Sequence, residues 1–444
     1  MGRNVSQRSG RLAARAGTRG ASTVSRRDVP PPTRQSAGPP VLDPLAAVRA
    51  DGDPRTDVFL TGTVFLDIIF TGLDTAPVRG TESWARGMGS SPGGVANMAT
   101  ALARLGLHTS LAAAFGDDMY GEYCWDALAQ GEGIDLSLSR TVPGWHSPVT
   151  VSMAYEGERT MVSHGHEAPP SEAAFDSRHA PGCPPPSRAC VTSLVPGRRE
   201  EWLGCAAGRG SRIFADVGWD DTGRWDPADL AGLEHCEAFL PNAEEAMRYT
   251  RTDCPRAAAR KLAERVPLAV VTMGAEGACA VDGRTGESAE VPAITVEELD
   301  PTGAGDVFVA GFITGTLAGW PLTDRLSFAG LTAALSVQEF GGSLSAPGWA
   351  EIACWWQQVR DFERRAGGGA AVPAAPPLPV GPATSAASVL PGAQDPAVAA
   401  APATPAAAAR LRHRYAFLDT VLPTADQPSQ LARAVPTIGF RRPA

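Results

Sequence analysis

The amino-acid sequence predicts an α/β domain of three layers, α/β/α, built on a mainly parallel central sheet. Three observations carry that expectation. Short apolar runs suited to buried strands recur near residues 58, 110, 213, 238 and 268, with helical patterns between them; alternating strands and helices build parallel sheets covered on both faces. A glycine turn, Thr302-Gly303-Ala304-Gly305, opens an apolar helical run (Val307, Phe308, Phe312, Ile313, Leu317) that Gly319 ends. The 444 residues, 43% hydrophobic and 20% charged, suffice for one large soluble domain or two ordinary ones.

Composition removes several classes of function. No run approaches about 18 uninterrupted apolar residues, so no membrane span is expected. A net charge of −9 argues against nucleic acid as a partner. Eight scattered cysteines without a C-x-x-C pair read as free thiols of a reducing cytosol, not as a disulfide framework or zinc site. His164 and His166 are the only close histidine pair and read as solvent-facing. The single lysine, Lys261, lies in the helical pattern RAAARKLAERV with no glycine loop before it. P-loops and protein kinases both place a lysine on the phosphates, so both are excluded. A kinase here must neutralise charge with backbone amides, magnesium or arginine.

Taken in order, residues 1–55 read as an arm, with eight arginines against Asp28 in the first 41 positions and too little apolar content for a core. Its start, MGRNVS, fits a myristoylation pattern and its arginine content a transit peptide. Uniform arginine use along the chain favours a plain disordered arm. The fold is expected from Thr56. Val58-Phe59-Leu60 leads into Gly62–Asp67, read as a buried strand ending in a carboxylate. Ligands of open α/β sheets bind beyond the carboxyl ends of strands, where Asp67 could accept hydrogen bonds from hydroxyls; read alone it is also a turn residue.

Residues 71–92 are rich in Gly, Pro and Thr. Pro92-Gly93-Gly94 then flows into a helix with Val95, Met98, Ala99, Leu102 and Leu105 on one face and Gly106 as its stop. A hairpin is expected over 148–163, turning at Glu156-Gly157-Glu158, with Arg159 either solvated or reaching a ligand. After a Pro-rich connection (167–188) come the strand-like Ile213–Asp216 and the stretch GWDDTGRWD. Asn242-Ala243-Glu244-Glu245 is either a capped helix start or a magnesium element. Leu268–Thr272 reads as a buried strand leading to a turn at Gly274 and Gly277 and a second strand near Ala278–Val281. A helix over Leu326–Glu339 precedes Phe340-Gly341-Gly342-Ser343. Residues 361–409 form a low-complexity linker, and 410–444 a short segment with one helix over Arg410–Leu422.

The chemistry converges on Asp306. Glycines let a ligand approach the backbone, and the first amides of a helix lack internal partners, so the turn before it makes an anion site. A carboxylate at its mouth suits a base that takes a proton from an attacking hydroxyl; read alone, it is also a helix cap.

DPTGAGDVFVAGF, residues 300–312, resembles the second signature of the PfkB (ribokinase-like) carbohydrate kinases, and the resemblance extends over roughly 56–360. It implies a ribokinase-like fold with a small β lid from about 71–92 and 148–163. It also implies Asp306 as catalytic base and Gly303, Ala304 and Gly305, with Asp306, as a backbone anion hole. Asp67, Gly93, Gly94 and Asn97 would bind substrate. Two residues, neither a lysine, separate the glycine pair from Asn97, which departs from the ribokinase pattern and leaves the sugar unspecified. Gly116-Asp117-Asp118 with Gly121 matches an architectural element. ATP would meet Asn242, Thr272, Gly274, Gly277, Thr302, Gly303, Gly305 and Gly342, with magnesium held by Asn242 and Glu245 through water. The expected partners are a sugar and ATP, with a homodimer through the lid and a cytoplasmic location. Three alternatives stand: a nucleoside kinase; a sugar-phosphate kinase, using Arg79, Arg86 or Arg159; and a non-catalytic sugar sensor on the same fold.

Overall fold

The computed structural model describes residues 42–155, 158–166, 182–197, 200–218, 220, 222–367 and 404–423. The expected arm up to residue 41, most of the Pro-rich connection, the hairpin turn 156–157 and the linker between 368 and 403 lie outside the described residues. In chain order the strands and helices begin with β1 (Thr56–Thr61), β2 (Val64–Leu73), β3 (Gly87–Gly94), α1 (Val95–Arg104), β4 (Thr109–Ala112), β5 (Ala114–Gly116), α2 (Met119–Asp126), β6 (Arg140–Val142), β7 (Val149–Tyr155) and β8 (Glu158–His164). They continue with β9 (Ser187–Leu194), α3 (Trp202–Gly208), β10 (Arg212–Val217), β11 (Ala238–Phe239), α4 (Ala243–Thr250), α5 (Pro255–Leu262), β12 (Leu268–Thr272), β13 (Ala278–Asp282) and β14 (Ser288–Val291). The last are α6 (Ala304–Leu317), α7 (Leu322–Ser336), α8 (Trp349–Gly367), α9 (Pro405–Arg414) and α10 (Leu418–Val421).

The main sheet has the order β14-β13-β12-β11-β10-β9-β1-β4. It is parallel from β4 to β12, and β13 and β14 add an antiparallel edge. Alternate side chains feed two cores. Val58, Leu60, Val191, Phe214 and Val270 pack against α1, α6, α7 and α8, while Phe59, Cys190, Ile213 and Val271 face α3, α4 and α5. Strands apolar on both faces require a layer on each side, so the expected three-layer α/β/α architecture is the one observed. The strand β9, SRACVTSL, was not anticipated; its serines, threonine and arginine break the apolar signal although it lies at the middle of the sheet.

A second sheet, β3-β2-β7-β8, corresponds to the expected lid. Asp67 belongs here, which corrects the expected single strand ending in a carboxylate. The chain leaves the main sheet after Thr61 and starts β2 at Val64, so Asp67 lies inside a ten-residue lid strand, opposite Ser91 of β3. Two apolar strands separated only by Gly62 and Thr63 carry no mark of the change of sheet.

The boundaries also move. Leu45 is fully buried and Arg49 bridges Asp43 and Asp57, each at 2.7 Å, so the packed region starts before Thr56. At the other end α8 runs to Gly367, beyond the expected limit at 360. The expected C-terminal helix is two, α9 and α10, docked on α7 and α8. Tyr415 and Leu418 are fully buried, Tyr415 Oη donates to Ser327 O at 3.1 Å, and Trp356 Nε1 donates to Asp419 at 2.8 Å. Cys183 and Cys205 form a disulfide, which corrects the expectation of free thiols throughout; their Cα atoms lie 5.6 Å apart although 22 positions separate them in sequence. That proximity comes from α3 folding back beside the start of β9, which cysteine spacing cannot report. His164 and His166 are exposed, as expected.

Candidate active site

The N-terminus of α6 is the centre of the site. Gly303 caps it in the left-handed region (φ 76°), a conformation glycine adopts without strain. The amide of Ala304 turns inward to Pro301 O, 3.2 Å away, so this member of the expected anion hole is already occupied. The amides of Gly303, Gly305 and Asp306 have no partner among the described residues and remain for an anion.

Asp306 is fixed by Asn97, whose Nδ2 donates to Asp306 Oδ2 at 3.1 Å. Asn97 comes from the first turn of α1, immediately after the lid strand β3, so one short stretch supplies both Gly93 and the anchor of the base. Asn97 Oδ1 is buried without a partner, an acceptor ready for an incoming hydroxyl. Gly342 lies against it: a Cβ there would stand 2.6 Å from Asn97 Oδ1, and one on Gly303 would stand 2.8 Å from the Cα of Gly342. Burial pushes Asp306 up to about 6, partly offset by the Asn97 hydrogen bond.

Asp67 faces the same centre from the lid. Burial, with the charges of Asp300 and Asp306 added, pushes it up to about 6. Gly93 makes room for it, since a Cβ on Gly93 would stand 2.0 Å from Asp67 Oδ2. Gly94, at φ 63°, ends β3 directly at α1 and shapes the chain there. Asp300 joins the two glycine loops: Oδ1 accepts from the amide and hydroxyl of Thr302 at 2.9 and 2.5 Å, and Oδ2 from the Gly341 amide at 3.0 Å. Arg159, read from the sequence as solvated or ligand-facing, instead donates from the lid to Thr302 Oγ1 and stands 3.6 Å from Asp300.

The second part of the expected site follows the ends of β11 and β12. Asn242 bridges Thr272 and caps α4. Its Oδ1 accepts from the Glu245 amide at 3.0 Å, and its own amide donates to Glu245 Oε2 at 2.9 Å. The two residues therefore form a reciprocal capping box, which leaves Glu245 Oε1 and Asn242 Nδ2 for other partners. Gly274 and Gly277 bound the short turn between β12 and β13. The residue sequence reading missed is Asp216, near the end of β10. Desolvation, with the charges of Glu245 and Asp306 added, holds its carboxyl well above the ordinary range, so it lies between the two halves of the site. A carboxylate at the end of an apolar strand was the available signal.

Among the described residues no group of three or more His, Cys, Asp or Glu side chains forms a ready metal cage, and no helix is long and apolar enough to cross a membrane.

The arrangement is an aspartate at a glycine-turn helix N-terminus beneath a small β sheet, on an α/β/α fold. The chain belongs to the pfkB family of carbohydrate kinases, whose family model matches residues 56–349. It is 30% identical over 266 residues to the bifunctional protein HldE of Magnetococcus marinus, covering 56% of this chain and 53% of that protein. It is 34% identical over 141 residues to a ribokinase of Schizosaccharomyces pombe, covering 29% of this chain and 44% of the relative. The chain thus spans about half the length of these two relatives. The structure of a putative ribokinase II from E. coli in complex with ATP and Mg2+ shares the fold, with a TM-score of 0.58 at 20% identity over 68% of this chain and 99% of that one.

Proposed function

We propose that the chain transfers the γ-phosphate of ATP to a hydroxyl of a neutral sugar. One observation carries the reading: Asp306, held by Asn97 and pushed up to about 6, stands beside the partnerless amides of Gly305 and Asp306. A base with a pKa just below neutrality is ionised at pH 7 yet accepts a proton readily. Asp67 and Asn97 Oδ1 accept hydrogen bonds from substrate hydroxyls and orient one of them toward Asp306. That oxygen forms a bond to the γ-phosphorus, the bond from phosphorus to the β-phosphate oxygen breaks, ADP leaves, and the hydroxyl proton passes to Asp306. The Gly303, Gly305 and Asp306 amides face the charge on the transferred group.

The acids Asp216 and Glu245 fit a divalent cation. Each is pushed up from its ordinary value, chiefly by burial, and Glu245 Oε1 is free of the cap. Asp216 and Glu245, with Asn242 acting through water, would hold magnesium, an ion that keeps several waters and substrate oxygens. When bound, magnesium neutralises phosphate charge.

A neutral acceptor is favoured over a sugar phosphate because two of the three candidate arginines are engaged. Arg86 pairs with Asp74 at 2.8 Å and Arg159 with Asp300. A homodimer through the lid belongs to the same proposal, since the lid region exposes Trp84, Met88, Met161 and Val162. The test is ADP release from ATP and magnesium against sugars, nucleosides and sugar phosphates, with Asp306→Asn as control. Turnover with neutral sugars, lost in the control, is the expected result. Silence across the panel with a sugar still raising the melting temperature would replace the kinase reading with the sensor.

A further inference from the structure

Arg159 sits on β8, an outer strand of the lid, where a guanidinium would ordinarily extend into water. Instead it reaches a residue 143 positions away, donating to Thr302 Oγ1 and standing 3.6 Å from Asp300 Oδ1. The contact falls on the hub of the site. The Thr302 hydroxyl donates a hydrogen bond to Asp300 Oδ1, whose other oxygen accepts one from the Gly341 amide. Gly303 and Gly342, one residue beyond each anchor, are the pair packed against one another and against Asn97. A single carboxylate thus sets the spacing of both glycine loops, and a lid side chain caps it.

Arginine suits the task, since its planar fork can address a hydroxyl and a carboxylate together. The chain's only lysine is committed elsewhere, donating from Nζ to Thr250 O at 2.7 Å. No other ion pair joins the lid strands to the 300–306 loop among the described residues.

Resting on the kinase reading above, we propose that Arg159 is a positioning residue that makes the phosphate-binding turn depend on closure of the lid. The lid also carries Asp67 and Gly93, which would face the acceptor. Acceptor binding, lid closure and ordering of Thr302–Gly305 then become one event. With the lid open, Asp300 and Thr302 lose their cap, the free amides lose their aim, and ATP is protected from transfer to water.

The experiment uses the full chain with Arg159→Met, Arg159→Lys and Thr302→Val. A partly exposed ion pair contributes little to stability, so Arg159→Met should melt within about 2 °C of the parent. Its kcat with the best sugar should fall about 10- to 100-fold, as small misplacements of reacting groups do, while KM for ATP stays within about twofold. Arg159→Lys should recover part of the loss. Arg159→Met combined with Thr302→Val should be no slower than the worse single variant, since both cut one path. A kcat within about twofold of the parent, additive losses, or a loss that follows a fall in melting temperature would overturn the proposal. Hydrogen exchange reads the same device without turnover: Arg159→Met should speed exchange of the 302–306 amides in the ligand-free chain. Unchanged exchange overturns the latch even in a protein that proves catalytically silent, whereas silence of the parent enzyme with faster exchange in the variant overturns only the kinase reading.

Discussion

Asparagine at position 306 keeps the shape of the native side chain and an oxygen for Asn97, but it carries no charge and takes no proton. In the folded chain burial moves Asp306 from its ordinary 3.8 to about 6. The folded state therefore binds the proton more tightly than the unfolded one, and ionisation costs stability as pH rises from about 4 to 6. A shift of about two units at about 1.4 kcal/mol each gives roughly 3 kcal/mol, and the partial access of Asp306 to solvent reduces this to about 1–3 kcal/mol. Above that window the cost is fully present; near pH 4 it is absent. Asp306→Asn should accordingly be more stable than the parent at pH 8 and nearly equal to it at pH 4. Its turnover should fall by about 10²–10⁴ if it serves as general base. The parent's kcat should decline as pH drops through about 6, while the residual rate of the variant should lack that limb. Paired melting curves at the two pH values and ADP-release rates between pH 5 and 8 measure all of this. Equal stabilisation at both pH values would refute burial of charge as the cause, and near-parental turnover would remove Asp306 from the chemistry.

Two further outcomes follow from packing. Gly93→Ala would place a Cβ 2.0 Å from Asp67 Oδ2, and the displaced carboxylate should raise the acceptor KM about 10- to 100-fold, the worth of hydrogen bonds to a charged group. Saturation curves in both substrates check it; an unchanged acceptor KM would show that Asp67 does not touch the acceptor. Ending the chain at Gly367 strips Tyr415 and Leu418 from α7 and α8 and should cost roughly 3–6 kcal/mol, the burial of two large side chains. Melting temperature reads the loss, and a synthetic 404–423 peptide should restore part of it.

Much of the site was legible because its signals are local. The glycine turn with Asp306 and the five-residue stripe of α1 announce themselves at helical spacing, and both fall where expected. What stayed hidden depends on contacts remote in sequence. The partnership of Arg159 with Thr302 spans lid and loop, and nothing around position 159 distinguishes it from a solvated arginine. Asp67 was expected at a strand end because two apolar strands abut, and only the pairing of β2 with β3 places it in the lid. The pairing of Cys183 with Cys205 is likewise invisible to spacing. Asn242 and Glu245 show a different limit: one pattern served two readings, and the capping box satisfies the structural one while leaving an oxygen for the other.

The docked C-terminal segment bears on how the chain is made. The indoles of Trp355 and Trp356 gain part of their cover from this segment: the Tyr415 ring stands 5.0 Å from that of Trp355, and Arg412 and Asp419 lie against Trp356. Residues 368–403 must leave the ribosome in between. At ordinary elongation speeds the 59 positions from Trp356 to Tyr415 take roughly 3–12 s, with two indoles incompletely covered on a nascent chain. The helices α9 and α10, translated after the linker, thus close a hydrophobic seam that a chaperone would otherwise have to shield, and premature termination in the linker would leave it open permanently.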